Sequence, residues 1–352
     1  MLKTAGLTAA AIFAPAVAAA KDEAKKDKDD KERVVPAPVY SPTPYHREID
    51  LAGKNIVITG ASRGIGRATA LELLTTGANV WGTSRTPAAY PTIREYPLLT
   101  LDLEYPASIG SFVPAIGAAT GGRVDVLINN AGRFVFGSTT PLSADPAAFA
   151  LWATSSALGL QTLYLGHRML TVAMLGLMQH PGYRRILFTA SANAYVSGPD
   201  IGSFLYQPYV AGKRAILDFA NSLHAWFEAI GLDIGVGTVN PASTRTDLAA
   251  GNRPIFAEAV DTGGNPTTPG SPLAFFLPVI REAIENGQPP QVVARAFRQM
   301  LELSSPYPNV FAVIPSGPDS TAEAAGLPLM LATREKEELQ FGAMPWAVSH
   351  KT

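Results

Sequence analysis

The stretch Asn55-Ile-Val-Ile-Thr-Gly-Ala-Ser-Arg-Gly-Ile-Gly66 decides the fold, because a short apolar run passes directly into a cluster of glycines. The apolar run predicts a buried strand, and a helical pattern begins at Gly64. Glycines at 60, 64 and 66 allow a tight turn and a close approach of the backbone to a ligand. A pyrophosphate group would then lie on the N-terminal amides of the helix. The stretch therefore predicts a dinucleotide site.

Downstream of this stretch, strand-like apolar runs alternate with helical patterns. The strand-like runs are residues 55–59, 79–83, 98–101, 124–128, 185–189, 234–239 and 310–314, and the helical patterns span 64–76, 107–119, 146–178, 209–230 and 290–303. Nearly continuous hydrophobicity is typical of parallel strands that are buried on both faces. We therefore predict a single α/β domain: a doubly wound (Rossmann), mostly parallel seven-stranded sheet with helices on both faces, which binds ligands beyond the carboxyl ends of its strands.

Composition excludes several classes of function. The chain has 352 residues and a formal net charge of −1, so it carries no electrostatic signature for nucleic acid. It contains no cysteine, which excludes disulfides and thiolate chemistry. Its five histidines are scattered without the spacing of metal ligands, so no metal site is predicted.

The first residues read as a targeting segment. Residues 5–20 are apolar with small-residue cleavage sites, but the run is too short and alanine-rich to predict a stable membrane span. Residues 2–11 resemble the second part of a twin-arginine export signal, whose arginine pair is absent, so we expect a periplasmic or exported protein, with the cytoplasm as the alternative. The predicted organisation is a signal at 1–20, a charged and then proline-rich disordered linker at 21–48, a folded domain at 49–320 with an insertion at 246–289, and an extension at 321–352.

Lys213 is the single lysine between Lys54 and Lys336, and Tyr209 stands four residues before it. Positions i and i+4 share one face of a helix. A free phenol has a pKa near ~10, and a neighbouring cation that lowered it by about three units would contribute roughly 4 kcal/mol. One interpretation is a tyrosine general acid/base with a pKa lowered by lysine. The other is an exposed helical pair without function.

Five motifs in order resemble the short-chain dehydrogenase/reductase family. They are Thr59-Gly-x-x-x-Gly-x-Gly66, Asp102 after the third strand, Asn129-Asn-Ala-Gly132 after the fourth, Ser191 ending the fifth strand before Tyr209-x-x-x-Lys213, and Pro241-Ala-Ser-Thr-Arg-Thr246. The resemblance spans about residues 50–315. It implies hydride transfer between a nicotinamide cofactor and an alcohol or ketone, and a homodimer or homotetramer.

The resemblance also implies roles for individual residues. Tyr209, Lys213 and Ser191 would be catalytic, and the family's helix-borne asparagine, which supports a proton-relay water, falls near Ser156. The implied cofactor contacts are Gly60, Ser62, Arg63, Gly64, Ile65, Gly66, Ser84, Arg85, Asp102, Leu103, Asn129, Ala131, Gly132, Tyr209, Lys213, Pro241, Thr244 and Thr246.

The end of the second strand predicts which dinucleotide is used. An acidic side chain there bonds the ribose 2′-hydroxyl of NAD, whereas an arginine accommodates the 2′-phosphate of NADP. This strand ends in Ser84-Arg85 without a carboxylate, and Arg63 in the glycine loop is a second cation. We therefore predict NADP(H) rather than NAD(H).

The substrate is predicted only by class. Aromatic side chains between positions 195 and 206 and in the insertion favour a bulky or apolar alcohol or ketone as the substrate. They are Tyr195, Phe204, Tyr206, Phe256, Phe275 and Phe276. Two alternatives remain open. One is a non-catalytic NADPH-binding sensor of the same fold, and the other is an enzyme similar to sugar-nucleotide epimerases, which share the Tyr-x-x-x-Lys motif.

Overall fold

The structure is a computed structural model that describes residues 49–133, 146–191, 194, 207–241, 244–246, 248, 287–302 and 310–314. All of them belong to one compact unit, Pro44–Thr352. The predicted signal and linker, the predicted C-terminal extension and most of the insertion lie outside the described residues, as do the six aromatic residues assigned to the substrate.

Parallel strands form the centre of the molecule. They are β1 (Asn55–Ile58), β2 (Asn79–Ser84), β3 (Leu98–Thr100), β4 (Val126–Asn129), β5 (Arg185–Thr189), β6 (Gly235–Pro241) and β7 (Val310–Ile314). Their order across the sheet is β3-β2-β1-β4-β5-β6-β7, and each neighbouring pair is parallel. The order reverses between β1 and β4, which is where doubly wound sheets open a crevice for a ligand. The predicted α/β class is confirmed.

Helices cover both faces of the sheet. They are α1 (Gly64–Leu74), α2 (Pro106–Ala119), α3 (Pro146–Leu160), α4 (Gly166–Met174), α5 (Gln207–Ile230) and α6 (Pro290–Leu301), with short 3-10 helices at Pro87–Ala89 and Leu175–Met178. One buried core contains side chains of α1 and α6, and the other contains side chains of α2, α4 and α5. Along β1, Ile56 and Ile58 belong to the first core and Val57 to the second. Both faces of the strand are therefore buried, which explains its continuous hydrophobicity.

The helical stretch predicted over residues 146–178 is confirmed, but it is not one regular α-helix. A π-helical turn, Gln161–Leu165, separates α3 from α4. Immediately after it, Gly166 packs against the segment that follows β3, where an added Cβ would lie 2.4 Å from the carbonyl oxygen of Leu103. The Gln161 amide also donates a hydrogen bond to that oxygen at 3.1 Å. The wider turn thus lets the helix pack closely against this segment.

The other predicted elements agree with the structure to within two residues at each end. The largest shift in a strand start is at β4, which begins at Val126 rather than at Val124. The N–H of Val124 instead donates to the carbonyl of Leu177 at 2.9 Å. Among the described residues, we find no helix that combines the length and the apolar character needed to cross a membrane.

Candidate functional site

The glycine loop lies at the carboxyl end of β1 and requires glycine at three positions. Gly60 and Gly64 have φ angles of +65° and +56°, in the left-handed region that favours glycine. Gly66 has no room for a side chain, because an added Cβ would lie 2.3 Å from the carbonyl oxygen of Gly60. The loop therefore depends on close backbone packing.

The N-terminus of α1 is suited to an anion. The helix begins at Gly64, its N-cap residue Arg63 makes no capping hydrogen bond through its side chain, and its first turn contains no acidic residue. The first amides and the helix dipole therefore favour a negatively charged group. Thr246 borders this position, since an added Cβ on Gly64 would lie 3.4 Å from Thr246 Cβ. These residues fit the phosphates of a dinucleotide.

Hydrogen bonds join the ends of three neighbouring strands beneath the loop. The Thr59 hydroxyl accepts hydrogen bonds from the N–H groups of Asn130 and Ala131, at 2.8 and 2.9 Å. The Asn130 amide donates to the Thr59 carbonyl at 3.0 Å, and the Thr189 hydroxyl donates to Asn130 Oδ1 at 3.1 Å. The sequence analysis named Asn130 only as part of a motif. Its position as a polar residue at the end of a buried strand could have indicated this role in joining the strand ends.

Ser191, Tyr209 and Lys213 lie together at this edge, and their exposed fractions are only 5%, 8% and 5%. The Tyr209 phenol and the Ser191 hydroxyl share a hydrogen bond. Lys213 Nζ donates to the Thr189 carbonyl at 2.6 Å and lies 5.8 Å from the centroid of the Tyr209 ring. Because both members are buried, the interpretation as an exposed helical pair is wrong.

Burial changes the acidity of both groups. It raises the pKa of Tyr209 above its ordinary value, and the hydrogen bond with Ser191 opposes this rise only in part. Burial also lowers the pKa of Lys213 to about 8. The expectation of a lowered Tyr209 pKa is therefore wrong in this structure, because removing the phenol from water disfavours the phenolate.

Leu163, in the π-helical turn, packs against Gly212, the residue before Lys213, where an added Cβ would lie 2.8 Å from Leu163 Cβ. An added Cβ on Gly132 would lie 3.5 Å from Leu163 Cδ2 and 3.9 Å from Lys213 Nζ. Ser156 lies seven residues earlier on α3, about two helical turns away. Its hydroxyl is buried and has no hydrogen-bond partner among the described residues. The proton-relay role of Ser156 stays a prediction, and Leu163 has no polar group with which to fill it.

The predicted adenosine contacts lie at the ends of β2 and β3. Ser84 and Leu103 are buried, whereas the side chain of Arg85 is 59% exposed. Asp102 is half-buried, and its carboxylate accepts a hydrogen bond from the N–H of Glu104 at 3.0 Å. Arg63 is exposed on the glycine loop. The two predicted cations are therefore available to a ligand.

The remaining predicted contacts flank these groups. Ser62 is buried in the glycine loop, and Ile65 is half-buried in the first turn of α1. Pro241 ends β6, and the Thr244 hydroxyl accepts a hydrogen bond from the Gln288 amide at 3.3 Å. Gln288 therefore helps to position the segment that contains Thr244.

Sequence reasoning missed His167, because nothing in its neighbourhood along the chain indicates a role. In the structure it is buried on α4 behind the Asn129–Gly132 turn. Its Nε2 lies 2.7 Å from the carbonyl oxygen of Ala131, and its Nδ1 lies 3.1 Å from Asn129 Oδ1. Burial lowers the pKa of His167 to about 4, the bond to Ala131 opposes this shift, and the charge of Lys213 adds to it. The imidazole is thus a fixed support for the turn.

The fold and the glycine loop together define a nucleotide-binding protein of the Rossmann class. A family model described as short chain dehydrogenase matches residues 54–254, which is more than half of the chain. The protein therefore belongs to the short chain dehydrogenase family of oxidoreductases.

Several relatives are similar to this chain at moderate sequence identity. The chain is 29% identical to the short chain dehydrogenase pigC of Monascus ruber over 57% of this chain and 66% of that protein. It is 31% identical to a dehydrogenase/reductase family protein 7-like of Drosophila melanogaster, over 56% of this chain and 60% of that protein. The chain thus spans about two thirds or less of the length of these two relatives. It is also 31% identical to the 2,3-dihydro-2,3-dihydroxybenzoate dehydrogenase of Escherichia coli, over 57% of this chain and 73% of that protein.

Solved structures share the fold. Ligand-free aldohexose dehydrogenase of Thermoplasma acidophilum matches with a TM-score of 0.56 and 19% identity, over 75% of this chain and 94% of that chain. A Burkholderia phymatum short chain dehydrogenase in complex with NAD has a TM-score of 0.56 and 23% identity, over 72% and 88%. A Burkholderia cenocepacia short chain dehydrogenase in complex with NADP has a TM-score of 0.54 and 23% identity, over 72% and 92%.

Proposed function

We propose that the protein is an NADP(H)-dependent oxidoreductase that transfers hydride reversibly between the nicotinamide and a secondary alcohol or ketone. The observation that carries this proposal is the buried cluster of Ser191, Tyr209 and Lys213 at the carboxyl edge of the sheet, close to the glycine loop. Bound nicotinamide supplies or accepts the hydride. The side chains position the substrate and move its proton.

Tyr209 is the proton donor to the carbonyl oxygen in the direction of reduction. Because burial raises its pKa, it carries its proton at neutral pH. The Ser191 hydroxyl hydrogen-bonds the same substrate oxygen as negative charge develops on it. The ammonium of Lys213 stabilises the negative charge that remains on the Tyr209 oxygen after proton donation. By family resemblance it also holds the ribose hydroxyls.

The charges at the adenosine end support NADP(H). Arg85 follows β2 and is largely exposed, and the residue before it is a serine instead of a carboxylate. An exposed guanidinium suits bidentate contact with a phosphate. Of the similar solved structures, one contains NAD and another contains NADP, so the preference is inferred from these residues of this chain.

The substrate and assembly parts of the proposal rest on the sequence and on exposed side chains. A bulky or apolar alcohol or ketone remains the proposed substrate. Apolar side chains exposed on α4 and α5 support a homo-oligomer; they are Met169, Val172, Trp226 and Ile230.

Export of the protein remains a proposal that rests on its first residues. Cell fractionation tests it, and uncleaved protein found only in the cytoplasm would refute it.

Tyr209→Phe tests the catalytic assignment. We expect the variant to fold and to bind NADPH with affinity within about twofold of the wild type, because the ring and its packing remain. Its turnover should fall at least about 100-fold, because the proton donor is gone. The measurement is NADPH absorbance against a panel of aliphatic, aromatic and steroid-like ketones. Tyr105→Phe is the matched control, since Tyr105 is 62% exposed on the surface. Activity retained by Tyr209→Phe would remove Tyr209 from the mechanism.

A non-catalytic NADPH-binding sensor is a second candidate, and Leu163 favours it. The side chain of Leu163, which packs against Gly212 next to Lys213 in the chain, offers no hydrogen bond to a relay water, whereas an asparagine would. The ketone panel separates the two functions. Tight NADPH binding without turnover of any ketone supports the sensor, and turnover that depends on Tyr209 supports the oxidoreductase.

A further inference from the structure

Glu104, in the segment between β3 and α2, joins two arginines from different loops. Its side chain is only 11% exposed. Its Oε1 lies 2.5 Å from Arg133 Nη1 and 3.9 Å from Arg85 Nη1. Arg85 follows β2 and Arg133 follows β4, so one carboxylate connects the two loops at the carboxyl edge of the sheet.

The carboxylate is held in place. The Thr162 hydroxyl lies 3.2 Å from the same oxygen, Glu104 Oε1. The backbone next to it is also fixed, because the N–H of Glu104 donates to Asp102 Oδ1 at 3.0 Å and Gln161 Nε2 donates to the Leu103 carbonyl at 3.1 Å. A carboxylate held in this way keeps its position when a second anion approaches Arg85.

We propose that Glu104 determines cofactor specificity, by pairing with Arg85 and Arg133 and so limiting the preference for a 2′-phosphorylated dinucleotide. This inference rests on the proposed function, in which Arg85 meets the 2′-phosphate. A guanidinium that already faces a carboxylate gains less from a second anion, and the carboxylate itself repels the phosphate. The three side chains together carry a net charge of +1, from two arginines and one glutamate. Without the carboxylate the net charge would be +2.

Glu104→Gln tests the proposal, because it keeps the shape of the side chain and removes its charge. Dissociation constants for NADPH and NADH are measured by calorimetric titration of protein freed of bound nucleotide. We expect NADPH to bind about fivefold more tightly and NADH to change by less than about twofold. The gain should shrink at about 0.5 M salt, where exposed charges are screened. Glu228→Gln is the matched control, since this exposed carboxylate lies near the opposite end of α5 from Tyr209.

For Arg133→Gln we expect the opposite change in NADPH affinity. Glu104 would then face Arg85 alone, so NADPH binding should weaken about threefold while NADH binding is unchanged. If thermal unfolding shows that Glu104→Gln does not fold, the NADPH affinity of Arg133→Gln still tests the role of Glu104. NADPH binding that is unchanged or tighter in Arg133→Gln would overturn the proposal.

Arg85→Ala separates this inference from the proposed function. If Arg85→Ala leaves the ratio of NADPH to NADH affinity unchanged, the assignment of the 2′-phosphate to Arg85 is wrong and the inference falls with it. If Arg85→Ala lowers the ratio while Glu104→Gln leaves it unchanged or lowers it, the cofactor assignment stands and the role of Glu104 is refuted.

Discussion

Acid should destabilise the protein through His167. Its pKa is lowered from 6.5 to about 4, mainly by burial and further by the charge of Lys213. The hydrogen bond with the Ala131 carbonyl opposes this shift. In the unfolded chain the imidazole takes up a proton near pH ~6.5, whereas in the folded protein it does so only near pH ~4. Between these values the unfolded state binds more protons, so stability falls as the pH falls through this window.

The size of the effect follows from the same shift. A difference of about 2.5 pKa units at about 1.4 kcal/mol per unit gives at most about 3.5 kcal/mol of unfolding free energy. About 2.5 kcal/mol of it should be lost at pH ~4.5. This contribution is complete above pH ~6.5, where histidine is neutral in both states.

Urea unfolding of the wild type and of His167→Gln at several pH values between about 4.5 and about 7.5 measures the effect. Glutamine cannot take up a proton, so the variant should lose about 2.5 kcal/mol less than the wild type across this range. His224→Gln is the matched control, because His224 lies on α5 and pairs with the exposed Glu228. Equal losses of stability in the wild type and in His167→Gln would refute the reasoning.

Two further predictions concern the glycine loop and the lysine. Gly66→Ala should bind NADPH more than about tenfold more weakly and unfold at a lower temperature, because its Cβ would lie 2.3 Å from the Gly60 carbonyl oxygen. Calorimetric titration measures the affinity and thermal unfolding measures the stability. An unchanged NADPH affinity would contradict this prediction. Turnover should fall as the pH rises through about 8, because the buried Lys213 then loses its proton. A pH–rate profile that is flat to about pH 9.5 would argue against the lysine's role.

Local sequence patterns predicted most of the fold. The strand bounds were close because a strand buried on both faces reads as a short continuous apolar run, and β1 and β5 are of this kind. The glycine loop was predicted for a similar reason, since its positive φ angles and close backbone contacts require glycine itself. The π-helical turn within residues 146–178 was not predicted, because it accompanies the contact between Gly166 and Leu103, which are distant in the chain.

The sequence by itself determined the class of the protein, the glycine loop before α1 and the shared helical face of Tyr209 and Lys213, because each depends on the spacing of residues within one short stretch. Only the tertiary structure decided that burial raises the pKa of Tyr209, that Leu163 packs against Gly212, and that Glu104 meets two arginines. The physical reason is that burial, and the partners of buried charges, come from segments that are far apart along the chain and meet only when the sheet and its helices have packed.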